Sequence, residues 1–168
     1  MLTKISNFLQ TVIYVNAFTI SECIKTDQNY KDILGFRDPL TKLATRRYME
    51  IWLMHKKPLS VIFIDLDNFK DFNTKYTHII ADNTLRKVGE FINAIKITSN
   101  NLRVRFGGDE AVLFIESDTE TESICRQLKY GSYKATGITF SIGSGSTISE
   151  ANSNLFKSKA AGKNWYTL

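Results

Sequence analysis

Arg105-Phe106-Gly107-Gly108-Asp109-Glu110-Ala111 is the stretch whose reading decides the fold. An alternating run, Leu102-Arg103-Val104-Arg105-Phe106, leads into it, and the apolar run Ala111-Val112-Leu113-Phe114-Ile115 leads out. Two strand-like runs around a Gly-Gly turn read as a β-hairpin. The two glycines let the backbone approach a large ligand, and two adjacent carboxylates stand at the tip. Adjacent carboxylates repel, and they make chemical sense where a hard divalent cation seeks oxygen ligands. On this stretch alone, a solvated acidic turn explains the pattern equally well.

A second stretch shifts the balance. Leu59-Ser60-Val61-Ile62-Phe63-Ile64, bounded by Pro58, fits a strand buried on both faces. It delivers Asp65-Leu66-Asp67-Asn68-Phe69-Lys70 at its C-terminal edge. If the hairpin lies beside this strand, Asp65 and Asp109 can share one or two Mg²⁺ ions, the arrangement that holds triphosphates and activates a hydroxyl.

Composition bounds the rest. The 168 residues suit one domain, and 43% hydrophobic with 23% charged residues suits a globular core. The net charge of +5 is compatible with a phosphate-bearing substrate, although a solvated surface explains it too. Lys and Arg are scattered without a basic run, so no duplex nucleic acid partner is expected. Cys23 and Cys125 lack metal-ligand spacing and are expected to be reduced and buried, in a cytoplasmic protein. His55 and His78 are too few and too far apart for a metal cluster and are expected to be structural. No apolar run is long enough to span a bilayer, and no membrane association is expected.

Along the chain, residues 1–37 read as an N-terminal helix and linker, with apolar spacing at Ile5, Phe8, Leu9, Val12 and Ile13. The β-branched run Thr11–Val15 leaves a strand open there. Residues 38–168 read as the main domain. Asp38 as N-cap and Pro39 at the first helical position predict a helix to about Lys56. After the first core strand, residues 71–83 read as a polar loop or short helix. Further helices are expected over 83–95, 119–130 and 149–162, and a last strand over 137–143. The order helix, strand, helix, strand, strand, helix, strand, helix gives an α+β, ferredoxin-like βαββαβ core, with helices expected on one face of the sheet.

Two further sets bear on chemistry. Lys159 and Lys163, four apart, share a face of the terminal helix and could reach a triphosphate, though a solvated flank explains them as readily. Asn73 and Asp82 follow the first strand. An amide and a carboxylate together can read a purine edge, and each could equally be a turn former or cap.

These residues together resemble the GGDEF-domain nucleotide cyclases. Asp38-Pro39-Leu40-Thr41-Lys42-Leu43-Ala44-Thr45-Arg46-Arg47 is similar to that family's opening motif. Asp65 to Lys70, Asn73, Tyr76, His78, Asp82 and Leu85 follow at its spacing, and Arg105 to Glu110 is its signature loop. Ser141-Ile142-Gly143 and Phe156 to Asn164 resemble its closing strand and helix. The resemblance runs in order from Asp38 to the end of the chain.

The resemblance implies a palm fold and a Mg²⁺- (or Mn²⁺-) dependent homodimer that joins two nucleoside triphosphates into a cyclic dinucleotide. Asp65, the Leu66 carbonyl and Asp109 would bind the metal. Glu110 would assist deprotonation of the 3′-hydroxyl or bind a second metal. Phe69, Lys70, Gly107 and Gly108 would belong to the nucleotide site. Lys159 and Lys163 would hold the β- and γ-phosphates, and Asn73 and Asp82 occupy the guanine-contacting positions.

The sequence also departs from the family pattern. Ala111 stands where Phe is usual, and Thr45 replaces Asn. Thr74, Thr77 and Ala81 replace Asp, Gly and Gly around the base pocket. Thr98-Ser99-Asn100-Asn101 stands where an Arg-x-x-Asp product-inhibition motif would fall, so inhibition by that route is expected to be absent. With residues 1–37 ahead of the motif, no sensory domain is expected. These departures keep open a relative with the same palm, the stand-alone minimal CRISPR polymerases that make cyclic adenine dinucleotides in antiviral defence, so the partner is GTP, ATP or both. A catalytically silent nucleotide-binding module and a structural domain associating through its N-terminal helix are the readings from other classes.

Overall fold

The computed structural model describes residues 35–168, and Arg37–Leu168 form one unit of the chain. The helix expected in the N-terminal segment, and Cys23, lie outside the described residues. The elements are β1 (Ala44–Thr45), α1 (Arg46–His55), β2 (Ser60–Leu66), α2 (Phe69–Lys75), α3 (His78–Ala94), β3 (Asn101–Arg105), β4 (Glu110–Ile115), α4 (Thr121–Thr136), β5 (Phe140–Gly145), α5 (Ile148–Ala160) and β6 (Tyr166–Thr167).

The sheet order is β1-β3-β4-β2-β5-β6. β4 is antiparallel to both β2 and β3, and β2 is antiparallel to β5. Hence β2 and β3 run the same way with β4 between them, and β4 and β5 run the same way with β2 between them. That is the split βαβ arrangement expected from the order of elements. β2 is central, every residue of it buried, as its unbroken apolar run requires.

Helices cover both faces of the sheet, not one. Ile62, Ile64, Leu66, Leu113 and Ile115 pack with Leu85, Val88 and Ile92 of α3 and Ile124 and Leu128 of α4. The alternate residues Val61, Phe63, Val112 and Phe114 pack with Met49 of α1 and Ala151 and Leu155 of α5. A sheet whose central strand is apolar on both sides needs cover on both sides, and the flanking helices of the βαββαβ core supply the second layer. Gly143 permits this: a Cβ there would stand 2.0 Å from the Leu155 amide nitrogen of α5.

The helix expected from Asp38 begins instead at Arg46. The Asp38 carboxylate does accept from the Thr41 amide at 2.7 Å, as an N-cap would. The chain then reverses, because Lys42 is left-handed at φ 59 and the Asp38 amide donates to the Leu43 carbonyl at 2.8 Å. The Asp-Pro dipeptide caps a turn, and Ala44-Thr45 leaves it as an edge strand on β3. Helix α3 closes on this turn at Gly89, where a Cβ would meet the Thr41 carbonyl oxygen at 2.0 Å.

Helix α4 runs on past Tyr130 to Thr136. Gly131 does not stop it; the missing side chain admits the Phe91 ring of α3, 2.7 Å from where a Cβ would lie. Gly137, at φ 80, is the true C-cap, which moves the last long strand to Phe140–Gly145. Cys125 is buried and unpaired, as expected, and burial pushes its thiol up to about 12. His55 and His78 are exposed, at a helix C-terminus and N-terminus.

Candidate active site

The acidic residues meet at one edge of the sheet because of register. Asp65 near the end of β2 is the cross-strand partner of Glu110 at the start of β4. The Leu66 amide donates to the Asp109 carbonyl at 3.1 Å, which fixes the tip of the hairpin beside the end of β2. On the face of β2 that α5 covers, Lys159 reaches in, its Nζ 2.8 Å from Asp65 Oδ2. Asp65, Asp109, Glu110 and Lys159 therefore form one cluster from three separate stretches of sequence.

Its electrostatics follow from crowding. Burial pushes the Asp65 carboxyl above the usual range; Lys159 opposes that shift, while the Asp109 and Asp67 charges add to it. Glu110 moves the same way, through burial first and then the charges of Asp65 and Asp109, with Lys159 and Arg46 opposing. Like charges held on facing strand positions cost stability, and one lysine answers only part of the excess.

Arg105 shapes the glycine loop. Its Nη1 lies 3.1 Å from both Asp38 carboxylate oxygens, its Nη2 donates to the Gly108 carbonyl at 2.9 Å, and its Nε donates to the Gly107 carbonyl at 3.3 Å. Burial works against the Asp38 carboxylate, but the Thr41 amide and hydroxyl and the Arg105 charge outweigh it and hold its pKa below the ordinary value. Phe106 is fixed by an edge contact with Phe63 at 5.1 Å and by the Arg46 guanidinium 4.2 Å over its ring. At Gly107 an added Cβ would stand 2.5 Å from Glu110 Oε2, so a side chain there would displace the Glu110 carboxylate. Gly108 has open space around it.

The remaining expected residues lie on the turn after α5 and on the helices that follow β2. Lys163 lies in a left-handed turn after α5 and its Nζ donates to Asn68 Oδ1, in the β2–α2 turn. Lys70 is exposed on α2, Asn73 is half-buried on α2, and Asp82 is exposed near the start of α3. The Phe69 side chain is buried in the core and stacks on Phe72 at 5.9 Å, which leaves its backbone as the part that could face a ligand. Ala81 is likewise a core residue, on the buried face of α3, so its substitution for glycine is a packing matter. Ala111 is buried opposite Ile64 and leaves the acidic cluster untouched. Thr98 and Ser99 direct their amides and hydroxyls to the Glu120 carboxylate, and these four hydrogen bonds lower it to about 2.

Two contributions carry little signal in the sequence. The Arg105–Asp38 pair joins residues 67 apart, and only their positions at two motif edges hint at it. Asp67 lies two residues after Asp65 and shares its motif, yet it is almost fully buried and wholly engaged with neighbouring donors.

The cluster fits a divalent cation. Among the described residues, no three His, Cys, Asp or Glu side chains already stand at ligand spacing. Mg²⁺ does not require that, being held as a rule by one or two carboxylates together with substrate phosphates and water. Among the described residues, no helix is long and apolar enough to cross a membrane.

Comparison with known proteins agrees with this geometry. Residues 35–165 match the family described as "Diguanylate cyclase, GGDEF domain". Diguanylate cyclase DgcS of Shewanella oneidensis is 29% identical over 154 residues, covering 78% of this chain and 52% of that protein. Diguanylate cyclase DosC of Escherichia coli K12 is 33% identical over 96 residues, covering 52% of this chain and 20% of that protein. The chain thus spans about half the length, or less, of these curated relatives. Among solved structures, the GGDEF domain of DgcB from Caulobacter crescentus, in complex with c-di-GMP, superposes with a TM-score of 0.67 at 21% identity. It covers 79% of this chain and 94% of that one. Its coiled coil and GGDEF domain together give a TM-score of 0.69 at 20% identity, covering 95% of this chain and 98% of that one. Motif, sheet order and family match converge, and the chain belongs to the GGDEF family.

Proposed function

We propose that this protein is a cyclic dinucleotide synthase of the diguanylate cyclase type, which joins two GTP molecules between two copies of the domain. The observation that carries the reading is the cluster of Asp65, Asp109 and Glu110, crowded at one sheet edge and partly answered by Lys159 at 2.8 Å from Asp65. The assignment of guanine rests on Asn73 and Asp82, which occupy the base-contacting positions of the motif, and on the relatives DgcS and DosC, both diguanylate cyclases.

Asp65, the Leu66 carbonyl and Asp109 would hold Mg²⁺ or Mn²⁺. Bound there, the cation would neutralise phosphate charge and lower the pKa of the attacking hydroxyl. Glu110 accepts the proton of the 3′-hydroxyl of one nucleotide as that oxygen attacks the α-phosphorus of the other. Burial raises the proton affinity of Glu110 and so favours that role. Pyrophosphate leaves, and the same exchange in the opposite sense closes the ring. Lys159 and Lys163 hold the β- and γ-phosphates, and the loop at Gly107 and Gly108 brings its backbone against them. Chemistry of this kind is mostly positioning and charge neutralisation, which a few fixed groups supply.

The test is mass spectrometry of the products from GTP, ATP and a mixture of all four nucleoside triphosphates, with Mg²⁺ and with Mn²⁺. A cyclic diguanylate product supports the reading. A cyclic adenine product would move the chain to the defence-type alternative, and nucleotide binding without any product would make it a silent module.

A further inference from the structure

We propose that Asp67 is a positioning residue: its buried carboxylate locks the turn that carries Lys163, and so sets where that ammonium meets the triphosphate. The inference rests on the proposed use of Lys163 in phosphate binding. Asp67 Oδ2 accepts from the Thr139 hydroxyl at 2.7 Å and from the Asn164 amide at 2.9 Å. Its Oδ1 accepts from the Ser141 hydroxyl at 2.6 Å. The Asp67 amide in turn donates to the Thr139 carbonyl at 2.9 Å. The residue is 4% exposed. A carboxylate so engaged and so enclosed is committed to the protein, whereas its neighbour Asp65 faces the cluster.

What Asp67 secures is a conformation that would not persist alone. Gly162, Lys163 and Asn164 are consecutive left-handed residues, at φ 111, 67 and 45. Glycine adopts this region freely and asparagine tolerates it, but the Lys163 side chain disfavours it, and three such residues in a row are rare. The run persists only where its surroundings over-determine it, and strain of this kind gathers at functional sites. Three amides hold it. Those of Gly162 and Lys163 return to the Lys159 and Ser158 carbonyls of α5, while that of Asn164 goes to Asp67. The third bond is the one that ties the turn to the β2 edge. Beside it, Lys163 Nζ donates to Asn68 Oδ1, and Asn68 is itself left-handed at φ 58. The two turns clasp each other, and the clasp sits next to the strand end that delivers Asp65. Thr139 and Ser141 of the β5 side keep the Asp67 carboxylate aimed at the Asn164 amide.

The test compares Asp67→Ala with Asp67→Asn in nucleotide binding, in steady-state kinetics and in amide hydrogen exchange without nucleotide or metal. Asp67→Ala is expected to speed exchange at residues 162–166 and to weaken GTP binding and raise KM by roughly tenfold or more, with a smaller change in kcat. Asp67→Asn keeps an oxygen for the Asn164 amide and a donor for Ser141 Oγ, and is expected to stay within roughly threefold of the parent protein. Thr139→Val combined with Ser141→Ala should shift KM in the same direction as Asp67→Ala. Equal loss in Asp67→Asn and Asp67→Ala, with unchanged exchange at 162–166, would make Asp67 a metal ligand and overturn the proposal. So would a fall in thermal stability and active fraction with GTP affinity unchanged, which marks a purely structural group. Parent protein that binds no nucleotide at all overturns the reading of the site itself. Parent protein that binds, with Asp67→Ala binding as tightly, overturns this inference alone.

Discussion

The Lys159 ammonium of α5 lies 2.8 Å from Asp65 Oδ2 at the end of β2, with the Asp109 and Asp67 charges acting on the same carboxylate. A protein cation thus occupies the neighbourhood in which a divalent ion and a triphosphate are proposed to bind. Lys159→Ala should cost about 1–3 kcal/mol at pH 7, as for a charge-assisted pair partly removed from water. The sign of the pH dependence follows from Asp65, whose folded-state pKa is raised. Such a group favours the fold below its unfolded pKa and loses that contribution as pH rises through the folded value. Without Lys159 the shift is larger, so the penalty should be greatest near pH 7 and shrink toward pH 4–5. Urea melts across that range measure it. A penalty independent of pH would mean that the lysine acts through the packing of its stem.

Divalent cation should relieve the same crowding. At pH 7 the parent protein is expected to gain thermal stability from Mg²⁺ or Mn²⁺, about 2.7 kcal/mol at a hundred times Kd. Asp65→Asn combined with Asp109→Asn should abolish that gain and all cyclic product while leaving the far-ultraviolet circular dichroism unchanged. An undiminished cation effect in the double variant would place the metal elsewhere.

Arg105 serves three acceptors that a lysine cannot serve together. Its guanidinium spans the Asp38 carboxylate and the Gly107 and Gly108 carbonyls. Arg105→Lys keeps the charge and loses the fork. It should cost about 1–2 kcal/mol of stability and lower kcat/KM nearly as much as Arg105→Met, because the loop geometry is lost in both. Full activity in Arg105→Lys would reduce the role of this residue to charge alone.

The glycines divide by what an added methyl meets. At Gly143 and Gly89 it meets backbone, at 2.0 Å from the Leu155 amide nitrogen and from the Thr41 carbonyl oxygen respectively. Alanine at either site should lower stability by about 3 kcal/mol or more, read by thermal melting. At Gly107 it meets only the end of the Glu110 side chain, at 2.5 Å, and at Gly108 it meets nothing within 4 Å. Gly107→Ala and Gly108→Ala should therefore fold normally. A loss of activity in Gly107→Ala would report a displaced Glu110, and one in Gly108→Ala would report a ligand that comes close to the backbone.

The parts of the fold legible in sequence are those whose pattern is local. The hairpin around Gly107-Gly108 and the buried strand before Asp65 are readable because alternation and an unbroken apolar run are properties of a few adjacent residues. The opening helix starts later than its signals suggest, because Asp38 caps a turn by the same bond to the Thr41 amide that would cap a helix. What separates the two outcomes is the reversal at Lys42 and the pairing of Ala44 with Val104 of the distant strand β3. Helix α4 outruns its expected end because Gly131 resembles a stop, whereas the α3 ring of Phe91 needs the space.

By itself the sequence determined which chemistry is available: the acidic groups Asp65, Asp109 and Glu110, the glycines that let a backbone come close, and the lysines four apart near the end of the chain. These are properties of residue type and short spacing. Only the tertiary structure decided which groups meet. Register sets Asp65 against Glu110, packing of α5 on β5 brings Lys159 across, and burial commits Asp67 to the protein while leaving Asp65 to the cluster. Two carboxylates of one Asp-Leu-Asp motif cannot be told apart along the chain, because what distinguishes them is the set of donors that other segments bring to each.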